Sequence, residues 1–240
     1  MRIDGAPVFV LHRRAWRDTS LLVELLSADH GRIGAVARGA RNPRSALFGL
    51  VEPFRELQAS WSRRGEMATL SALDSDRPPV RLVGRALWCG LYANELILRL
   101  LPRDDPEPGL YAAYSTLLPD LTEPDRQAAA LRRFEVSLLS VLGLMPALDR
   151  CATDGQPVQA QAGYRVDPTI GPSLAPETGS MPAGEGMDRV RGRVLLALAR
   201  GGEIQPGDAR IARAVMRKLI DHQLDGRPLK TRSLIREEVS

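Results

Sequence analysis

Two hydrophobic periods divide the chain. From Val8 to Leu73 the apolar residues come in short runs rich in Val, Ile, Leu, Phe and Trp: Val8–Arg13, Ser20–Leu26, Arg32–Arg38, Val51–Trp61 and Met67–Leu73. Turn formers separate them at Arg17-Asp18, Ala28–Gly31, Gly39–Ser45 and Arg63–Gly65. Runs of this length between such breaks predict five β-strands. Five short strands with no long helix among them suit a small closed barrel of the oligonucleotide-binding (OB) type.

From Pro78-Pro79 onward the spacing turns helical. Arg81–Leu101 brings Leu87, Leu91 and Leu98 to one side until Pro102 stops it. Gly109–Leu118 is a shorter helical stretch. Thr122-Glu123-Pro124-Asp125 reads as a helix start, with Thr as cap and Pro just inside. The helix it opens carries Leu131, Phe134, Leu138 and Val141 on one face and ends at Gly143. Met145–Gly186 is dense in Pro, Gly, Ser and Thr without a sustained period, which predicts a long irregular insertion over about 146–186. Helices over Asp188–Ala199 and Asp208–Leu224 follow. The expected class is therefore α+β: a barrel domain over 1–79 and a helical domain over 80–240.

With 240 residues, 44% hydrophobic and 26% charged, the chain can bury a large core without covalent staples. No segment approaches the ~18 uncharged apolar residues of a membrane span; Ala86–Leu101 is cut by Glu95 and Arg99. The apolar run Val8–Leu11 meets His12, Arg13 and Arg14 at once, unlike a secretory signal. Two cysteines, Cys89 and Cys151, cannot build a disulfide framework. The expected address is cytoplasmic.

Charge changes the picture most. There are 33 Lys and Arg against 29 acids, a net +4, and only Lys218 and Lys230 are lysines. Arginine holds its charge at any relevant pH and meets phosphate with a planar fork of donors. The cations cluster twice. Arg32, Arg38, Arg41, Arg44, Arg55, Arg63 and Arg64 face only Glu52 and Glu56 over their stretch. Arg210, Arg213, Arg217, Lys218, Arg227, Lys230 and Arg232 face only Asp221 and Asp225. Arg210, Arg213 and Arg217 share one helical face. Gly39–Ser45 is a polar, doubly basic loop, expected to be mobile unless an anion orders it. These patterns point to a polyanion, with Arg14 added from the first strand.

Catalytic signatures are absent. His12, His30 and His222 lie far apart, and no nucleophile elbow or zincin helix occurs. Gly226-Arg227-Pro228-Leu229-Lys230-Thr231 lacks the Gly before Lys that a phosphate loop needs. Cys151-Ala152-Thr153-Asp154 and Leu174-Ala175-Pro176-Glu177-Thr178 have the frame of two C-x-x-C knuckles. Only Cys151 of the four sulfur positions remains, a poor zinc site, so no metal and no cofactor is expected. Arg132 and Arg133 border the apolar face of Leu131, Phe134 and Leu138. The bland reading is a snorkelling flank; the functional one is an apolar pocket with a cationic rim for a peptide carboxylate.

Phe9–Ser20 resembles the first strand and turn of the RecO family of bacterial recombination mediators. So do Val36–Arg41, Leu91–Leu96 (with its Tyr-x-Asn-Glu-Leu), Leu131–Glu135 and Gly226–Arg232, in family order along nearly the whole chain. The resemblance implies an OB-fold and a helical domain interrupted by a zinc-binding or zinc-like insertion. It implies binding of single- and double-stranded DNA and annealing of strands coated by single-stranded DNA-binding protein (SSB). It also implies work with RecR to load RecA, with RecF in reach, on the bacterial nucleoid during repair. Carried over residue by residue, the SSB tail falls to Arg132, with Leu131, Phe134, Leu138 and Tyr92 as the apolar wall. DNA falls to Arg14, Arg32, Arg38, Arg41, Arg44, Arg63, Arg64, Arg210, Arg213, Arg217, Lys230 and Arg232. Loss of three cysteines implies a zinc-free remnant. Two rival readings are an RNA-binding OB module and a nucleic-acid-processing enzyme.

Overall fold

A computed structural model of the chain describes residues 1–75, 78–176, 189–201 and 204–232. The first five elements are β1 (Arg2–Trp16), β2 (Ser20–Ser27), β3 (Gly31–Ala37), β4 (Glu56–Arg63) and β5 (Ala68–Asp74). They close into a barrel in the order β1-β2-β3-β5-β4. Every pair is antiparallel except β3 with β5. This is the expected OB-type barrel. Alternate residues enter its core: Val8 and Val10, Leu21, Val23 and Leu25, Ile33, Ala35 and Ala37, Leu57, Ala59 and Trp61. One strand starts later than expected. Pro53 lacks an N–H and Phe54 has a left-handed φ of 66°, so Val51–Arg55 turns and β4 begins at Glu56.

Two helices, α1 (Arg85–Leu100) and α2 (Pro108–Leu121), pack on the barrel through polar as well as apolar contacts. A β-bulge between Val10 and His12 takes the Leu11 carbonyl out of the ladder. Asn94 Nδ2 donates to it at 2.7 Å, and Tyr114 hydroxyl donates to Asn94 Oδ1 at 2.6 Å. Burial raises the Tyr114 phenol well above its ordinary pKa, so it stays a neutral donor. The Phe9 ring lies 5.0 Å from both Tyr111 and Tyr114. Gly90 lets α1 approach closely, since a Cβ there would meet Phe54 at 2.8 Å.

Packing divides the chain elsewhere than the change of period does. Strands give way to helices near residue 80, but Met1–Pro124 and the returning segment from Leu229 form one compact unit, and Asp125–Pro228 forms another. The second unit holds α3 (Gln127–Val141), β6 (Gly163–Asp167), β7 (Gly171–Leu174), β8 (Val190–Arg191), α4 (Gly192–Ala199) and α5 (Ala209–Gln223). Phe134, Leu138, Leu195, Leu198, Val215, Met216 and Leu219 are buried in it.

Three expectations change here. Thr122 does not open α3; it ends α2, its hydroxyl donating to the Pro119 carbonyl at 2.7 Å. The insertion is less irregular than its composition, because β6, β7 and β8 form a sheet in the order β7-β6-β8. Tyr164 and Val166 point inward and Arg165 and Asp167 outward, a period-2 pattern too short to stand out. The helix expected from Asp188 begins at Gly192, after β8; Asp188 and 177–186 of the insertion lie outside the described residues.

Candidate nucleic-acid interface

The clustered arginines of the barrel have two different environments. One group crowns the β1–β2 turn and the β3–β4 loop. His12–Thr19 is exposed throughout, so the hairpin tip presents Arg14 and Arg17. The β3–β4 loop presents Arg38, Arg41 and Arg44, all exposed. It is a chain of turns rather than a floppy linker: Asn42 N–H donates to Gly39 O at 2.8 Å and Ser45 N–H to Asn42 O at 2.9 Å. Arg41 ties it to the hairpin, with its N–H on Thr19 O at 2.9 Å and its guanidinium on Arg17 O at 3.3 Å. Leu47 and Val51 sink into the core and anchor the loop from below. The expected need for an anion to order this loop is thus met from within. Arg14, Arg38 and Arg44 have no acidic partner among the described residues, and neither has exposed Arg64.

The other group is consumed internally. β3 and β5 pair at only three positions, Ala35–Ala37 with Ala68–Leu70. Beside that short seam the chain after α1 runs along β3: Arg103 bridges to Arg32, and Asp104 N–H donates to Arg32 O at 3.0 Å. Gly31 and Gly34 leave the room this requires; a Cβ at Gly31 would stand 2.2 Å from the Asp105 carbonyl oxygen. Glu24 accepts from Arg32 at 3.1 Å and from Arg103, whose guanidinium pKa is raised by that hydrogen bond. Arg63 meets Asp104 at 2.6 Å. Arg32 and Arg63, counted as DNA contacts from the sequence, are therefore seam residues paired with Glu24 and Asp104 of the same chain. Glu24, Arg103 and Asp104 were invisible to a reading that scored local charge, because 79 residues separate Glu24 from Arg103.

On α5 the expected face forms. Arg210, Arg213 and Arg217 are exposed while Ala212, Val215, Met216, Leu219 and Ile220 are buried. Arg217 leans on Asp221 at 3.5 Å. Farther along, the backbone N–H groups of Lys230 and Thr231 donate to the Glu95 carboxylate at 2.8 and 2.9 Å, and the Arg232 guanidinium lies over the Tyr92 ring.

The expected tail pocket is altered. Phe134 and Leu138 are 1% and 0% exposed, core residues rather than pocket walls, and Leu131 is half-buried. Arg132 grips Glu135 in an i,i+3 pair, one contact at 2.7 Å, and Glu135 has no exposed side-chain surface. Helical periodicity located the apolar face correctly but could not say which neighbours would cover it. Tyr92 belongs to the other unit, where it is buried and its hydroxyl accepts from Arg232 at 3.3 Å.

Comparison with known proteins decides the family. Residues 1–77 match the model "Recombination protein O N terminal" and residues 81–233 match "Recombination protein O C terminal". Curated relatives named "DNA repair protein RecO" align over nearly their full length. That of Alkalilimnicola ehrlichii is 47% identical over 98% of this chain and 92% of its own. That of Marinobacter nauticus is 42% identical over 97% and 94%, and that of Aromatoleum aromaticum 41% over 98% and 96%. This chain belongs to the RecO family.

Two RecO-like landmarks now have a physical role. The segment Tyr92–Leu96 and the segment Gly226–Arg232 meet: Glu95 takes three hydrogen bonds from Lys230 and Thr231, and Tyr92 lies under Arg232. The backbone donors a phosphate loop would offer are thus held by a carboxylate. The first of the two knuckle frames, Cys151–Asp154, forms a hydrogen-bonded turn. Cys151 is buried with Sγ 3.1 Å from Thr153 Oγ1, and the described residues contain no group of three His, Cys, Asp or Glu side chains. The turn is held by Cys151 N–H on Gln156 O at 2.8 Å and Ala152 N–H on Pro172 O at 2.6 Å. Glu177 and Thr178 of the second knuckle lie outside the described residues. No described helix is long and apolar enough to cross a membrane.

Proposed function

We propose that this RecO-family protein is a recombination mediator that acts without catalysis. It binds single- and double-stranded DNA, anneals complementary strands coated with SSB, and works with RecR in loading RecA. The observation that carries this reading is the hydrogen-bonded pair of loops on an OB-type barrel with five exposed arginines, Arg14, Arg17, Arg38, Arg41 and Arg44. Annealing is slowed by phosphate repulsion. Arginine patches neutralise both strands and raise their local concentration. The α5 face, Arg210, Arg213 and Arg217, supplies a second such patch on the same chain. Binding through phosphates carries little sequence preference.

The reading extends to an SSB tail contact, with Arg132 and exposed Arg133 as its cations and Leu131 as its apolar neighbour. RecF and, through the assembled filament, RecA are indirect partners, and the work is placed at the cytoplasmic nucleoid. Zinc takes no part. Annealing of SSB-coated complementary strands, with RecR added and omitted, tests the reading. Acceleration that survives chelator supports it. Failure to accelerate, strand scission on adding divalent metal, or preference for RNA of equal length over DNA overturns it.

A further inference from the structure

Nine of the eleven aromatic side chains are buried or half-buried, and the two exposed ones lie on the two loops that Arg41 joins. Trp16 is 40% exposed and Phe48 is 51% exposed. Trp16 ends β1 at the hairpin tip, and Phe48 lies in the β3–β4 loop that Arg41 ties to that hairpin. Phe48 is next to buried Leu47, and its N–H donates to Ser45 O at 3.0 Å, so the backbone that presents it is fixed. Asp18 is the one acid between His12 and Thr19, and none occurs between Arg38 and Leu50. Neither ring belongs to the barrel core, which Trp61 and aliphatic residues fill.

We infer that Trp16 and Phe48 are stacking platforms for unpaired bases of single-stranded DNA, set among the phosphate-binding arginines. This rests on the DNA-binding reading above and deepens it. Arginines bind the phosphates of single strands and of duplex, whereas a ring can stack only on a base freed from its partner. The two loops therefore combine a charge that gathers any DNA with rings that retain the unpaired form. Annealing needs that distinction, because the product duplex presents no free base face and is released.

The test uses the full chain with a dT oligonucleotide and a duplex of equal length at fixed salt. Trp16→Ala and Phe48→Ala should each weaken dT binding about 5- to 10-fold, the low end expected for base–aromatic stacking. Duplex affinity and the salt slope should stay as in the parent. Trp16→Phe should keep most dT affinity yet lose the tryptophan quenching that dT produces, and circular dichroism should show all variants folded. Unchanged dT binding in the double alanine variant, an equal loss on duplex, or quenching that persists in Trp16→Phe overturns the proposal. Arg38, Arg41 and Arg44 replaced together by Ala tell the two readings apart. If that variant binds dT and duplex as the parent does, the DNA lies off the barrel loops, with the Arg210, Arg213 and Arg217 face next in line, and both the loop reading and the stacking proposal fail.

Discussion

Arg32 and Arg38 lie six residues apart on the same strand and its exit, and they do opposite things. Arg32 is buried enough to need Glu24 and the Leu101 carbonyl, the latter at 2.9 Å, and it helps close the β3–β5 seam. Arg38 stands in solvent with its neighbours Arg41 and Arg44. The same contrast separates Arg63, held on Asp104, from exposed Arg64. A basic cluster counted along a sequence is thus two populations. One pairs with carboxylates of the same chain, Glu24 and Asp104, and the other remains available to an external anion.

The contrast can be broken from either side. The largest effects belong to the buried pairs. Glu24→Gln leaves Arg32 and Arg103 facing a neutral amide and should lower unfolding free energy by about 3 kcal/mol, read by denaturant titration. Its DNA salt slope should stay at the parent value; a fallen slope would put the seam in the interface. Arg132→Ala strips Glu135 of its guanidinium, and a loss of similar size, about 3 kcal/mol, is expected. Measured on the folded fraction, affinity for an SSB tail peptide should fall about 30- to 150-fold, while annealing of naked strands persists. A variant that melts lower but binds the peptide normally would leave Arg132 a purely internal cation.

The exposed set should behave in reverse. Replacing Arg38, Arg41 and Arg44 by Ala should change stability by less than about 0.5 kcal/mol. The slope of log affinity against log salt should shrink by one to three units, the same for every DNA sequence. The smallest effect concerns an exposed carboxylate. Asp167 accepts N–H groups from Thr169 and Ile170 at 2.8 and 3.1 Å, which hold its carboxyl below the usual range. A depressed folded pKa contributes stability above the unfolded value near ~3.9, lost as pH falls through the folded one. Asp167→Asn should therefore flatten the acid limb of the stability profile slightly and leave neutral pH nearly unchanged.

The barrel was legible because each strand carries its own period and its own turn signals, and the core positions follow from alternation. The face of α5 was legible for the same reason, a strong 3.6-residue pattern over fifteen residues. What escaped notice depends on distant partners. Arg32 looked like Arg38 until Glu24 and the segment after α1 were placed beside it, and Phe134 looked like a pocket wall until other residues covered it. The capping role of Thr122 failed because Ser, Thr and Asn serve either end of a helix, and nothing local says which helix is the nearer. The β6–β7 hairpin was hidden by its Gly and Pro, which here shape its turn and its edge.

The clasp of Glu95 on Lys230 and Thr231 makes the second unit an insert within the first, entered at Asp125 and left at Pro228. A ribosome delivering this chain must therefore finish all of Asp125–Pro228 before the first unit receives the donors that Glu95 awaits. Until then a carboxylate on α1 faces no partner from that segment, and the barrel with its first two helices is an unlatched half-product. Emergence of Lys230 and Thr231, rather than folding of the barrel, is the event that latches the first unit.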